Sequence, residues 1–385
     1  MAEVRRPPAI IEYDSESESE SESESEEELV MIASEQTEEP EPDPEPEPEP
    51  EFVEDDAAYA RVTVVECYGI ITPTMVAALR TFPNCTKLRF YVNQRCLDER
   101  GQRFVRVNGQ FSMVIWDNYK FASMAEKEAA WLVMPAGMEQ FKDYLRHNDM
   151  LTNVSMSIHA GFNKATMWAP NLADIMDIIA ERDHIVHFSL CGGALAITPD
   201  TTAYSRVRDS MCRILSDKPQ LTTFSVSKLF TPRAHADVLL RAANAIQRAT
   251  GTRKCVLLDL PYGMQSSDAV KAVVEMLVTK HDSQLHRFNT RNRVRPTSTY
   301  VSRALTVALM VNASLHETDL TTLLTEDDLI DRVMPYSSLQ HIRTEPVSRP
   351  RLQRAVQDNP AILTVTFVDI ESGKPVQGGI QHLSS

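Results

Sequence analysis

The sequence lacks the features that would place it in a membrane or in an oxidising compartment. No apolar run approaches the ~20 residues that a helix needs to cross a bilayer, and the N-terminus has no apolar signal-peptide core. The six cysteines form no Cys-x-x-Cys pair, and no histidine completes a zinc-binding spacing. We therefore expect a soluble chain in a reducing compartment, cytoplasmic or nuclear, with no bound metal and no membrane partner.

The sequence also lacks the short motifs that mark common catalytic sites. Gly-x-Ser-x-Gly, His-Glu-x-x-His and Gly-x-Gly-x-x-Gly are all missing. Gly192 and Gly193 are not followed by the Lys-Ser/Thr of a phosphate loop, and a turn with positive φ explains them better. His184 and His187 lie three apart at a strand start, where that spacing puts them on opposite faces. We therefore expect no enzymatic activity and no cofactor.

Charge is distributed unevenly along the chain. Residues 1–56 contain 23 acidic residues against Arg5 and Arg6, so they carry −21, whereas the whole chain carries −15. The remaining residues are therefore about +6. The acidity belongs to the N-terminal segment, and the rest of the chain is mildly basic.

The acidic segment has the composition of a disordered tail. Residues 15–26 alternate Ser and Glu, and residues 39–51 alternate an acid with Pro. Neither stretch can bury enough apolar surface to fold, and the serines, followed by acids, suit acid-directed kinases. Two interpretations remain open. The tail solubilises the chain, or it is a polyanion that binds a basic partner or the chain's own basic body.

The body is built on one recurring unit, seen most plainly at residues 300–320. A stripe of apolar residues at helical spacing comes first: Val301, Ala304, Leu305, Ala308 and Leu309. Asn312 then breaks the helix, and Leu315, Thr318 and Leu320 follow in the form Leu-x-x-φ-x-φ, where φ is usually apolar. One helix and one such strand cannot bury their own apolar faces, so the unit needs a copy of itself on each side.

Copies of the strand half recur along most of the body, with helical stripes between them. Their first positions are Leu151, Ile185, Leu221, Cys255, Leu285, Leu315 and Ile362. Asn precedes this position by three residues at Asn148, Asn312 and Asn359, and Lys218 holds the same place in another copy. The repetition predicts a row of stacked helix–strand modules.

This alternation resembles leucine-rich repeats of the long, ribonuclease-inhibitor-like kind, with residues 312–320 as the best single match. The resemblance covers roughly residues 137–320 and 362–367. It implies an α/β leucine-rich-repeat-like solenoid, with a parallel sheet on one side and helices on the other. A doubly wound α/β domain also alternates helices and strands, but its strands are unbroken apolar runs. Residues 255–258 fit that alternative, whereas the segments beginning at Leu221 and Leu285 have one polar side.

The organisation that we predict has four parts. Residues 1–56 form the disordered acidic tail. Residues 57–136 form an N-terminal cap region, which includes a β-hairpin turning at Asn108-Gly109. Residues 137–370 form the leucine-rich-repeat-like solenoid, and residues 371–385 form a flexible C-terminus.

A repeat array without catalytic motifs predicts a non-catalytic scaffold that binds another protein through its surface. The candidate contact residues are Thr223, Ser225, His286, Arg287, Arg291, Glu317 and Asp319. Two alternatives are an α/β nucleotide-binding protein or enzyme that uses Gly192-Gly193, and an adaptor in which the acidic tail binds basic partners. The sequence does not name the partner.

Two arginine-rich segments also stand out. The first contains His286, Arg287, Arg291, Arg293 and Arg295, and the second contains Arg343, Arg349, Arg351 and Arg354. Loops on one edge of a solenoid stack together, so the two segments could form one basic patch. Three interpretations remain open: a solvated edge, a dock for the acidic tail, or a phosphate or nucleic-acid site. Nucleic acid is the least favoured, since few aromatic residues lie nearby to stack on bases.

Overall fold

The computed structural model describes residues 59–92, 101–107, 110–117, 124–158, 165–192, 195, 197–251, 254–280, 285–291, 299–370 and 374–382. The acidic tail, the Asn108-Gly109 turn, Gly193, Arg293 and Arg295 lie outside the described residues. Residues Glu54–Ser385 make up one compact unit.

Thirteen strands of the described residues form one sheet. They are β1 (Val64–Gly69), β2 (Lys87–Val92), β3 (Gly101–Val107), β4 (Gln110–Asp117), β5 (Asn153–Ile158), β6 (His187–Cys191), β7 (Thr223–Ser227), β8 (Lys254–Leu258), β9 (Leu285–Thr290), β10 (Glu317–Asp319), β11 (His341–Thr344), β12 (Thr364–Val368) and β13 (Pro375–His382). Neighbouring strands are parallel except in the β3–β4 and β12–β13 pairs. A mostly parallel sheet, as we expected, is confirmed.

Helices connect most of these strands. They are α1 (Pro73–Leu79), α2 (Met124–His147), α3 (Ala165–Glu181), α4 (Thr202–Asp217), α5 (His235–Arg248), α6 (Ser267–Thr279), α7 (Thr299–Val311) and α8 (Arg349–Asp358). Three short helical pieces, Glu326–Asp328, Leu329–Val333 and Met334–Tyr336, lie between β10 and β11. From α1 to α7, each helix packs against the next one along the chain. Among the described residues, no helix combines the length and the apolar character that crossing a bilayer requires.

Strand order follows chain order over most of the sheet. The order is β13-β12-β11-β10-β9-β8-β7-β6-β5-β2-β1-β4-β3. Strands β1, β2 and β5 to β12 are therefore sequential neighbours, and the predicted hairpin, β3–β4, extends the sheet beyond β1.

The two faces of the sheet differ in burial. Phe188, Phe224, Val256 and Phe288 are aligned on neighbouring strands and are almost fully buried on the face that packs against the helices. The residues that alternate with them, such as Ser225, are only partly covered. The helices therefore cover one face, and we call the other, more polar face the open face.

Buried asparagines close the junction between one repeat and the next. The Asn312 Nδ2 donates to the backbone oxygens of Leu277 (2.6 Å) and Lys280 (3.1 Å), at the end of α6. Its Oδ1 accepts from the Leu315 N–H at 2.8 Å. The last carbonyls of a helix have no partner within the helix, so this side chain supplies one from the following repeat.

The same arrangement recurs with a different side chain in other repeats. Asn359 Nδ2 donates to the oxygens of Met334 (2.7 Å) and Ser337 (3.0 Å). Lys218, at the matching sequence position, donates from Nζ to the Ile179 oxygen at 2.9 Å and to the Arg182 oxygen. Burial lowers the pKa of Lys218 to about 8.

Two strands lie where the sequence predicted none. The sequence pattern contained no strand between those beginning at Leu315 and Ile362, yet β11 forms there, and Leu315, Leu339 and Ile362 lie 24 and 23 residues apart. Residues 371–385 were expected to be flexible, which is wrong for β13. This strand pairs antiparallel with β12 and covers an edge that would otherwise expose unpaired backbone groups.

The register assigned to Cys255 was also wrong. The sequence pattern placed it at the buried first position of its repeat, but the structure aligns Cys255 with Thr223 on the open face. Lys254, Val256 and Leu258 are the buried residues of β8. Because side chains alternate between faces, a shift of one position reverses which of them are buried.

The predicted boundary between residues 136 and 137 lies inside α2. Gly137 is part of this helix, and a Cβ atom there would lie 2.1 Å from the Ile71 oxygen. The helix therefore packs directly on the backbone of the cap region. The cap region and the repeats share one hydrophobic core, so this position is not a domain boundary.

Replacing Asn312 by Ala should lower the free energy of unfolding by about 2–4 kcal/mol, because it removes the hydrogen bonds to the Leu277 oxygen and to two backbone N–H groups, and one of the hydrogen bonds to the Lys280 oxygen. Urea denaturation followed by circular dichroism measures the change. Asn84→Ala is the control, since exposed Asn84 makes a single hydrogen bond to the Ala60 oxygen. It should cost less than about 1 kcal/mol. Equal losses would contradict the role of the junction.

Lys218 should make stability depend on pH in a defined window. Its folded pKa of about 8 lies below the ordinary lysine value of 10.5, so the folded state binds fewer protons between these pH values. The free energy of unfolding should therefore rise from pH 8 to 10.5, by up to about 3 kcal/mol. Lys218→Met removes this rise, and urea denaturation of both proteins across the window measures the difference. A constant difference between them would contradict the prediction.

Candidate functional site

The open face presents side chains in rows, because neighbouring strands are in register. Thr223, Cys255, Arg287 and Glu317 form one row across β7 to β10. Ser225 starts the next row, which continues through Leu257 and Asn289. Asp319 lies beside Arg343 on β11, and Arg291 follows directly after β9. Apart from His286, the structure thus places every predicted contact residue on this face or at its edge.

His286 lies apart from the other candidates. The register between β8 and β9 shifts after Lys254, so that His286 is an extra residue of β9 relative to β8. Its ring stacks edge-on against His316, with centroids 4.5 Å apart, before β10 begins. His286 therefore belongs to the edge where the strands start, and it does not line the cleft described next.

A cleft of about 250 Å³ opens on this face near the carboxyl ends of the strands. It is lined by Ser225, Val226, Ser227, Leu257, Leu258, Asp259, Arg287, Asn289, Arg291, Asp319, Thr321, Arg343, Val368, Asp369 and Ile370. Ser225, Arg287, Arg291 and Asp319 were among the predicted contact residues. The structure brings them together at one place.

The lining shows that the sheet curves. Ser225 is on β7 and Ile370 follows β12, five strands further on. Five strand spacings correspond to about 24 Å in a flat sheet. The segment 368–370 can reach only about 10 Å. The sheet therefore curves towards its open face, which places residues of distant strands around one cleft.

Arginines and carboxylates alternate across the cleft. Arg287 Nη2 lies 2.6 Å from Glu317 Oε1 on the neighbouring strand. Arg343 Nε lies 3.8 Å from Asp319 Oδ2, too far for a hydrogen bond, and Asp319 Oδ1 accepts from the Thr321 N–H at 3.0 Å. The lining contains three arginines and three aspartates, so its formal charge is zero.

The two arginine-rich segments meet only in part. Arg343 of the second segment joins Arg287 and Arg291 of the first in the cleft. Arg351 lies on α8, where its guanidinium contacts three carboxylates, those of Glu326, Asp327 and Asp331. Arg349 and Arg354 are on the same helix. The described parts of the two segments therefore do not form one continuous patch.

Gly192 has a structural role that differs from the predicted one. It follows β6 and does not have a positive φ, because among the described glycines only Gly69 and Gly251 do. A Cβ atom at Gly192 would lie 2.7 Å from the Leu229 Cα, and its N–H donates to the Ser227 oxygen at 2.7 Å. The expected positive-φ turn is thus wrong at Gly192. A close approach of two backbones explains the glycine, and its N–H is not directed at a ligand.

The thiol of Cys255 lies in the same row as Arg287, close to the cleft. Burial raises the pKa of the Cys255 thiol, although Arg287 opposes this shift, so the thiol stays protonated at neutral pH. Within the described ranges, no three His, Cys, Asp or Glu side chains are placed to hold one metal ion.

The sequence pattern missed several residues of the cleft. Asn289 alternates with Arg287 and Arg291 along β9, so the period-two pattern could have found it. Thr321 follows a strand of only three residues, and Arg343, which the sequence placed in an arginine-rich segment, lies on β11, where no strand was predicted. No periodic signal marks these last positions.

The fold and the cleft define a mixed α/β protein with a mostly parallel sheet and a polar face that the helices leave uncovered. No protein-family model matches this chain, and no curated protein matches it in sequence.

Thr322→Gly should raise the free energy of unfolding by about 1 kcal/mol. Thr322 is a buried, β-branched residue with φ of 63°, and the left-handed conformation costs an L-residue about 1–2 kcal/mol. Glycine removes that cost, although folding a glycine costs about 0.5–1 kcal/mol more in backbone entropy. The substitution also removes a buried hydroxyl that has no hydrogen-bond partner in the described chain. Urea denaturation measures the change.

The matched control is Lys228→Gly, because Lys228 also has a positive φ, of 52°, but is unbranched. Its gain should be smaller, about 0.5 kcal/mol, since only the backbone contribution changes. A loss of stability for Thr322→Gly would show that the threonine side chain itself stabilises the loop.

Proposed function

We propose that this protein is a non-catalytic protein-binding scaffold, built as a leucine-rich-repeat-like solenoid, and that its open face contacts the partner. The observation that carries the proposal is the curved, uncovered face with its cleft of alternating arginines and carboxylates. Polar side chains on a rigid sheet can make directional contacts with a partner. Because the sheet is already ordered, binding avoids the entropic cost of ordering a loop.

The strand order supports the solenoid part of the proposal. A doubly wound sheet reverses its strand order near the middle and carries helices on both faces. Strands β5 to β12 follow chain order without reversal, and the strand residues alternate between a buried and a partly covered face. The side chains that repeat the junction, Asn312, Asn359 and Lys218, fit modules stacked one after another.

The neutral balance of charge in the cleft favours a protein partner. Nucleic-acid sites are strongly basic, because they neutralise phosphates, and this lining has no excess of positive charge. A protein surface offers both signs of charge, and the arginines of the cleft are of the type enriched in the centres of interfaces. The proposal includes three expectations from the sequence, which concern the compartment, the protein partner and the contribution of the acidic tail.

The proposal is tested by blocking the open face without disturbing the core. Ser225→Arg places a large, charged side chain in the middle of this face, and it should lower the recovery of captured proteins at least tenfold because it prevents close approach. Affinity capture by purified full-length protein, followed by mass spectrometry, measures the recovery.

Ser205→Arg is the matched control, since exposed Ser205 lies on α4, in the helical layer. It introduces the same side chain, and we expect recovery equal to that of the original sequence. Thermal unfolding confirms that both variants fold. If both variants retain every captured protein, the open face is not the binding surface.

A further inference from the structure

Asn289 and Thr321 line the cleft, and each has a buried polar atom without a hydrogen-bond partner among the described residues. Asn289 is 9% exposed and Thr321 is 5% exposed. The Asn289 Oδ1 and the Thr321 Oγ1 are fully covered, yet neither meets a donor or acceptor in the part of the chain that the structure describes. Buried polar atoms are nearly always satisfied, so two such atoms in one cleft point to groups supplied from outside.

Backbone strain at the same place is an independent observation. Thr322 follows Thr321 directly, has φ of 63° and is 3% exposed. A β-branched residue rarely adopts this conformation, and such strain is concentrated at ligand sites. The strained residue therefore directly follows Thr321, which lines the cleft.

The exposed fractions of the charged side chains decide which sign of charge the cleft presents to a ligand. The Arg343 side chain is 33% exposed and that of Asp319 is 10% exposed. The Arg287 side chain is 33% exposed and that of Glu317 is 23% exposed. In both ion pairs the arginine is the more accessible partner. The cleft therefore offers cations to a ligand, while Asp259 and Asp369 in the lining disfavour a dianion.

The size of the cleft limits the ligand. Pockets for small molecules are typically about 300–1,000 Å³, and this cleft, at about 250 Å³, falls below that range. It suits one amino-acid residue of a chain that continues along the open face. Such a residue also carries a backbone N–H, which is the type of donor that the Asn289 Oδ1 needs.

We infer that the cleft is a docking pocket for one aspartate or glutamate of an extended segment of the partner protein. The carboxylate lies against Arg291 and Arg343, a backbone N–H of the segment donates to Asn289 Oδ1, and the Thr321 hydroxyl bonds the same segment. This inference rests on the proposed function, and it names the chemistry of the partner at one position.

The test uses four pools of fluorescein-labelled nonapeptides, acetylated and amidated at their ends, with Glu, Gln, Lys or phosphoserine fixed at the centre. Fluorescence anisotropy with the full-length protein measures their affinity. We expect the Glu pool to bind at least tenfold more tightly than the Gln pool. Preference for Lys or phosphoserine, or equal binding of all four pools, would overturn the inference.

Variants separate recognition from folding. Arg343→Met should reduce the preference for Glu over Gln to less than twofold, whereas Arg241→Met, on the outer face of α5, should leave it unchanged.

Thr321→Val should weaken binding of the Glu pool while leaving thermal stability equal or higher, because it removes a hydroxyl that has no hydrogen-bond partner among the described residues. Weaker binding that follows only from lower stability would overturn the role of Thr321.

The two proposals fail in different ways. If Ser225→Arg abolishes capture of proteins but the pools show no preference, the open face binds partners and the docking pocket is overturned. If the Glu preference depends on Arg343 but Ser225→Arg has no effect on capture, the pocket is supported and the wider open face is contradicted as the binding surface.

Discussion

The fold depends on helix ends that are closed by a side chain from the following helix–strand unit. The last carbonyls of α6 are buried, and the helix itself has no donors for them. Asn312 supplies two donors and also accepts from the backbone of its own turn. One side chain therefore fixes the end of a helix, the turn after it and the start of the next strand.

The buried junctions contribute more to the free energy of unfolding than the surface ion pairs do. Leaving one buried carbonyl unsatisfied costs about 1–3 kcal/mol, whereas an exposed ion pair contributes about 0–1 kcal/mol. Pairs between helices, such as Arg206 with Asp174 and Arg213 with Asp177, are half-exposed and belong to the second class. The buried junctions thus hold the repeats in order, and the ion pairs of the helical layer add little to that.

The sequence predicted the parts of the fold that have a period. Helix stripes and alternating strands identified most elements, because burial on one face requires those spacings. Prediction was wrong where the hydrophobic period breaks. Strand β11 lies in a segment with three prolines, and β13 forms because it pairs with the edge of β12, since its own sequence has no strand pattern. For the candidate site, alternation along β9 pointed to Arg287 and Arg291. The contributions of Thr321, Thr322 and Arg343 depend on loop conformation and sheet curvature, which no local spacing encodes.

The departures from regularity are concentrated around the cleft, and this distribution is itself informative. Strand β10 has only three residues, and the loop after it contains a threonine with positive φ. The helix–strand units also shorten here, since Leu315, Leu339 and Ile362 are closer together than Leu151, Ile185 and Leu221.

A sequence under selection for stability alone would remove such irregularities, because most of them have simple remedies. Their co-occurrence beside unsatisfied polar atoms is the pattern expected where a surface is shaped by what it binds. The regular repeats from β5 to β8 then provide the rigid support that holds this irregular region in place.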